Sequence, residues 1–167
     1  MAQTSVKEVT AQAYEGKLEN KAQEIKTGIA GELIYFGKAV GKDKADLAVV
    51  PEVNLLADGD IFEGVAVADP SVEAISSAAG GYVETTSVNV IKKGKVWVKV
   101  TDAITDLSVG VFVKNANGSG VSDGSLGSFN SVTGADYIEL SAVASVKWAA
   151  ATTVDSDNYG LLSINEG

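Results

Sequence analysis

The 167-residue sequence contains no cysteine, no histidine and no arginine. The absence of cysteine excludes a fold held by disulfides. The absence of histidine removes the usual base that activates a serine nucleophile. The chain is therefore predicted not to be an enzyme, with no catalytic residue and no cofactor. Paired carboxylates, as in a glycoside hydrolase, stay open as an alternative because acids are plentiful.

Long hydrophobic runs and a net positive charge are also missing. No window of about 18 apolar residues occurs, and the first twelve residues lack the apolar core of a signal peptide. The formal net charge is −9, and an acidic body repels nucleic-acid phosphates. The sequence thus predicts synthesis in the cytoplasm, with neither membrane insertion nor nucleic-acid binding.

The sequence is rich in residues that favour β-strands. The chain holds 23 valines and 9 isoleucines against 10 leucines, and its 18 glycines supply turns. Branching at Cβ suits a pleated surface better than a helix. The length fits one domain. The prediction is an all-β sandwich or barrel, jelly-roll-like, with an extended N-terminal arm.

The clearest alternation lies between Tyr82 and Asn117. Valines recur at every second position from Val88 and again from Val96, with a third run from Val109 to Val113. This period is that of a strand with one buried face. The glycine of Lys92–Gly94 suits a tight turn. The sequence predicts a hairpin turning at Lys92–Gly94, followed by a third strand in a meander.

Further strands and loops follow from β-forming runs and turn residues. Strands are predicted over 33–40, 47–50, 61–68, 136–148 and 159–164, with a turn at 58–60 and loops over 69–81 and 115–127.

The first 30 residues differ from the remainder. Residues 1–44 carry 7 lysines and 6 acids, a net of +1, whereas residues 45–167 carry 6 lysines and 16 acids, a net of −10. Leu18, Ala22 and Ile25 would share one face of a short helix, but the stripe is weak, and an extended segment fits equally. We assign residues 1–30 to an N-terminal arm and residues 31–167 to a single β-domain.

Two binding patterns need weighing. Asp155, Asp157, Gly160 and Glu166 fall at positions 1, 3, 6 and 12 of a calcium-loop template, but Tyr159 at position 5 offers no carboxylate. The favoured interpretation is a polar turn before a closing strand, and no metal site is predicted. A carbohydrate-binding or adhesin-like β-sandwich is the alternative function, with Trp97, Tyr82 and Tyr137 as candidate platform residues.

Several short motifs appear in a characteristic order. They are Tyr14, Gly16 and Leu18; Phe36, Gly37, Ala39 and Val40; Gly64, Val65 and Ala66; and Gly94, Val96, Trp97 and Val98. In this order, over about residues 10–165, the chain resembles the head decoration or structural cement proteins of tailed bacteriophages.

The resemblance implies a non-enzymatic virion protein on the outer capsid surface, made in the cytoplasm of the host bacterium. Its implied partner is the major capsid protein, whose subunit contacts it would stabilise, with self-association as a dimer or trimer. We expect Tyr14, Gly16, Leu18 and Ile29 to contact the capsid, the first three from the motif match and Ile29 as a further apolar residue of the arm.

Overall fold

The computed structural model describes residues 15–19, 24–44, 52–69, 74–76, 79–102, 104–115, 126–141, 145–154 and 157–166. These residues form strands and turns without a helix, which confirms the all-β prediction. In chain order the strands are β1 (Glu24–Ala30), β2 (Ile34–Tyr35), β3 (Ala39–Lys42), β4 (Glu52–Leu55), β5 (Ile61–Ala66), β6 (Ala74–Ser76), β7 (Ala79–Tyr82), β8 (Ser87–Val100), β9 (Phe112–Lys114), β10 (Phe129–Asn130), β11 (Tyr137–Glu139), β12 (Val146–Val154) and β13 (Asp157–Ile164).

Five strands close into a barrel. They are hydrogen-bonded in the order β1-β4-β3-β5-β8, and β1 pairs again with β8 to complete the ring. The buried side chains that these strands contribute to the interior cluster are alanines and valines: Ala30, Val40, Val53, Ala66, Val88 and Val90. A barrel this small leaves room only for side chains, so small and β-branched residues fill it. Of the two predicted architectures, the barrel is confirmed.

One end of the barrel interior is filled from a separate three-stranded sheet, β2-β7-β6. Ile34 and Tyr82 join the interior cluster, and the ring of Phe36 meets that of Tyr82 edge to face at 5.3 Å. The Tyr82 hydroxyl donates to the Val67 carbonyl at 2.7 Å. Burial raises the pKa of Tyr82 to about 12, so the hydroxyl stays a donor.

The long strand β8 belongs to both halves of the molecule. Its first half pairs with β1 and β5 of the barrel, and its second half pairs with β13 and, at Val100, with β10. The second sheet continues from β10 to β9 and β11 on one side and from β13 to β12 on the other. A second cluster of buried side chains fills the space beside these strands.

The predicted hairpin turn at Lys92–Gly94 is wrong, because β8 runs through it. Glu24 pairs with Lys93 whereas Ile25 pairs with Ile91, so Lys92 is an extra residue in β8. Such a bulge bends a strand and changes which face later side chains occupy. Gly94, at φ 131°, follows the bulge in a conformation that favours glycine.

The bulge sends the two valine runs into different cores. Val88 and Val90 point into the barrel, whereas Val96, Val98 and Val100 belong to the second cluster. The three-stranded meander is therefore also wrong: the first two predicted strands are one strand, and β9 reaches β8 only through β10.

Three further predictions need correction. The run over 33–40 is divided into β2 and β3 at Gly37, which has φ 74°. The long strand predicted over 136–148 is instead β11, a turn at Ser141 and the beginning of β12. The predicted loop over 69–81 contains β6 and most of β7.

Other predictions are confirmed or untested. The turn at Asp58–Asp60, strand β5 and the closing strand β13 lie where the sequence placed them. The predicted strand over 47–50 and most of the predicted loop over 115–127 lie outside the described residues.

Candidate partner-binding surfaces

The motifs that carry the family resemblance meet at the junction between the barrel and the second sheet. The amide of Gly16 donates to the Trp97 carbonyl at 2.9 Å, and the Trp97 amide donates to the Lys17 carbonyl at 2.8 Å. On the barrel side, the Ala68 amide donates to the Gly16 carbonyl at 2.9 Å. The segment 15–19 thus ties the second half of β8 to the end of β5.

Close backbone contact explains the glycines at this junction. A Cβ on Gly16 would lie 2.6 Å from the Ala68 nitrogen and 3.0 Å from the Gly37 nitrogen. Gly16 also has φ 76°, in the left-handed region that disfavours a side chain. The Gly37 amide in turn donates to the Ala66 carbonyl at 2.8 Å. The described geometry gives Gly16 a structural position inside the chain's own fold.

Leu18 and its neighbours are also fixed to the body. Leu18 forms an antiparallel bridge with Val96 and packs against the second core cluster. The Trp97 indole nitrogen donates to the Glu19 carboxylate at 2.5 Å. Glu15 lies 3.6 Å from the ammonium of Lys38.

The described part of the first 30 residues is extended. Ile25 lies in β1 and Leu18 in its bridge, so the helical alternative does not apply to these two residues. Residues 24–30 pair with β4 and β8. The division into an arm of residues 1–30 and a domain of residues 31–167 stays a prediction, as does a capsid contact of Tyr14, which lies outside the described residues.

Ile29 is one of four exposed aliphatic residues on β1 and on the neighbouring turns. Ile25 and Ile29 project from the same face of β1, with 44% and 39% of their surface exposed. Ala30 is bonded to the turn that begins at Val83, and the pairing of Ile34 with Tyr82 sets Leu33 beside Val83. We call Ile25, Ile29, Leu33 and Val83 the apolar rim.

Of the four rim residues, the sequence singles out Ile29 alone as a candidate capsid contact, and that contact stays a prediction. The spacing of Ile25 from Leu18 and Ala22 fits one face of a helix, but its spacing of four from Ile29 also places these two isoleucines on one face of a strand. No local signal identifies Leu33 and Val83, because their exposure depends on the long-range pairing of β2 with β7.

Lysines surround one carboxylate on the barrel wall. Glu63 lies 2.8 Å from the ammonium of Lys92 and 3.6 Å from that of Lys42, and Lys26 adds a weaker interaction. Burial raises the pKa of Glu63, but the hydrogen bond from Lys92 and the charges of Lys92, Lys42 and Lys26 outweigh it, so the net pKa lies below the ordinary 4.5. Three cations face one anion here, in a protein of net charge −9.

The three aromatic residues proposed as a platform, Tyr82, Trp97 and Tyr137, do not lie side by side on one exposed surface. Tyr82 is 1% exposed and belongs to the barrel core, so its assignment to a platform is wrong. Trp97 and Tyr137 are half-buried on β8 and β11, which are not neighbouring strands.

The calcium-loop pattern falls on a strand. Asp157 and Gly160 lie in β13, where Gly160 pairs with both Ala151 and Val98, and Asp155 is outside the described residues. Among the described residues no group of three carboxylates comes together as a metal site. Nor does this part of the chain include a helix long and apolar enough to span a membrane.

The protein is all-β, and the described motif residues Gly16, Leu18 and Gly37 make contacts within the chain itself. A family model described as structural cement protein (E217 gp24/Pam3 gp6) matches residues 2–165. The chain therefore belongs to the phage structural cement protein family, and its location is the virion. A comparison with curated proteins gave no match.

Proposed function

We propose that this protein binds the outer surface of a bacteriophage capsid and stabilises contacts between neighbouring major capsid subunits. The observation that carries the proposal is the family match over nearly the whole chain. Because each copy binds the assembled lattice and not the separated subunits, occupancy stabilises the assembly by mass action. On this proposal the protein has no catalytic role, and any dimer or trimer forms on the capsid.

The apolar rim is the proposed contact surface. Its four aliphatic residues are each at least 39% exposed, and they lie on β1, on the segment that follows it and on the turn after β7. A few side chains that become fully desolvated near the centre of an interface supply most of its binding free energy, whereas the contacts around them supply little. The same surface includes Ile29, the arm residue that the sequence singled out.

Binding to capsids that lack this protein tests the proposal. Ile25→Thr/Ile29→Thr keeps β-branched residues in β1 and removes apolar area. We expect its dissociation constant in a sedimentation assay to rise about thirtyfold, since the two truncations together remove on the order of 2 kcal/mol of burial. Deleting residues 1–30 is a poorer test, because it also removes β1 from the barrel.

Val132→Thr is the matched control. Val132 is 53% exposed and follows β10, which pairs with β8 at Val100, whereas Ile29 pairs at Ser87. The control should bind like the wild type. Wild-type affinity in the double variant would contradict the rim as the contact surface, and a folded wild-type protein that never sediments with capsids would contradict the proposed function.

A further inference from the structure

An apolar cleft opens between the barrel and the second sheet, away from the apolar rim. It lies between the connection from β4 to β5 and strand β11, and its volume is about 440 Å³. Leu56, Phe62, Ile138 and Leu140 line it. A water molecule occupies about 30 Å³ of liquid, so the cleft has room for a large side chain. Its size is within the range of ligand pockets, about 300–1,000 Å³.

Two carboxylates stand at the mouth of this cleft. Asp58 and Asp60 flank Gly59 in the turn between β4 and β5, and all three line the cleft. The Asp60 carboxylate accepts from the Ala57 amide at 3.0 Å, and the Asp58 amide donates to the Asn115 side chain at 3.0 Å. These bonds hold the turn in place while the Asp58 residue remains exposed.

Lys42 and Lys114, on strands beside the cleft, are directed elsewhere. Lys42 pairs with Ile61 across the strands, but its ammonium lies 3.6 Å from Glu63. Lys114 is opposite Tyr137 and therefore lies on the other face of β11 from Ile138. The residues that line the cleft thus combine apolar side chains with two carboxylates and no lysine.

We propose that this cleft binds a segment of a partner protein in which an aliphatic or aromatic side chain stands next to a lysine or arginine. The apolar side chain enters between Phe62 and Ile138, which are both partly exposed, and the neighbouring cation faces Asp58 and Asp60. Complementary charge at the rim of an apolar pocket favours such a segment over an acidic or neutral one. A second copy of this chain fits poorly, because its net charge is −9.

Blocked dipeptides test this site on the isolated protein, without capsids. The probes are N-acetyl-leucyl-lysine amide, N-acetyl-leucyl-glutamic acid amide and N-acetyl-glycyl-lysine amide. In an NMR titration of ¹⁵N-labelled protein, the leucyl-lysine probe should shift the amides of residues 57–62 and 138–140. The other two probes should bind more weakly, since each lacks one of the two matching groups.

Two variants with matched controls separate the apolar and charged contributions. Asp58→Asn keeps a good turn residue and should weaken leucyl-lysine binding about two- to fivefold, as expected for one exposed ion pair. Glu84→Gln removes the same charge outside the cleft and should have no effect. Ile61→Thr should weaken both leucyl probes, whereas Ile25→Thr, at similar exposure, should not.

Any of three results overturns the proposal: no probe shifts the cleft amides, the lysine and glutamate probes bind equally, or Asp58→Asn binds the leucyl-lysine probe like the wild type. The first result is also the one expected if other residues of the chain fill the cleft, and the proposal is then wrong as well. Because these experiments do not use capsids, a negative peptide-binding result does not contradict the proposed function. A negative capsid-binding result likewise does not contradict peptide binding at the cleft.

Discussion

Two opposing effects, burial and neighbouring lysines, set the pKa of Glu63. Its carboxylate is partly buried, with 15% of the side chain exposed, and burial alone would favour the protonated form. Lys92 and Lys42 offset that cost, and Lys26 contributes at longer range. Because the pKa in the folded protein lies below the ordinary 4.5, ionised Glu63 stabilises the fold above that pH.

This balance predicts a pH-dependent effect of Glu63→Gln. The variant should lose about 0.5–1 kcal/mol of unfolding free energy at pH 7, since the pairs are partly screened by solvent. The stabilisation from Glu63 is lost as the pH falls through its folded pKa, so the difference from the wild type should shrink below pH 4.5. Urea unfolding between pH 3 and pH 7 measures it, with Glu84→Gln as the control. A difference that stays constant over this range would contradict the account of Glu63.

Gly16 allows a sharper test at a single backbone position. Gly16 and Gly59 both have positive φ, 76° and 89°, but a Cβ on Gly59 would meet no atom within 4 Å. Gly59→Ala should therefore cost only the left-handed strain of about 1–2 kcal/mol. Gly16→Ala should cost about 1–3 kcal/mol more, because the Ala68 and Gly37 backbones must also move. Thermal or urea unfolding measures both variants. Equal losses would show that the junction around Gly16 is not tightly packed.

At the scale of elements, β8 organises the fold. Its first half closes the barrel, its bulge at Lys92 changes the buried face, and its second half is the centre of the second sheet. Segment 15–19 bonds to this second half and to Ala68. Both β8 and segment 15–19 therefore connect the barrel to the second sheet, which makes the motif glycine Gly16 part of the connection.

Local patterns in the sequence identified this strand but not its course. The alternation of valines from Val88 and from Val96 correctly marked two buried runs. A glycine after two lysines fits a hairpin turn and a bulge equally well, and only the pairing of Lys93 with Glu24 decides between them. The same reason explains the division of the predicted strand over 33–40, which turns at Gly37 between β2 and β3.

Local sequence patterns also could not show how the candidate contact residues are arranged in the fold. Gly16 and Leu18 were singled out from a motif, and the described contacts give both a place in the chain's own packing. Ile29 is exposed, but its neighbours Leu33 and Val83 come from a turn and a strand pairing far along the sequence. A surface assembled from distant segments leaves no local periodicity to detect.

At the scale of the whole molecule, three groups of surface residues can be distinguished. The apolar rim lies on β1 and the neighbouring turns, the lysines around Glu63 lie on the barrel wall, and Asp58 and Asp60 lie at the cleft beside β11. A protein that contacts more than one subunit of a lattice needs distinct surfaces of this kind, and simultaneous engagement of two sites strengthens attachment without a change in either contact.

The most direct test of the central claim is the melting temperature of the capsid. Capsids that lack this protein should be heated alone and with increasing amounts of it, and their disassembly followed by light scattering. The account predicts that the midpoint rises with occupancy and levels off when the lattice is full, because binding to the assembled state alone stabilises that state. Full occupancy, measured by sedimentation, with an unchanged capsid midpoint would contradict a cementing role.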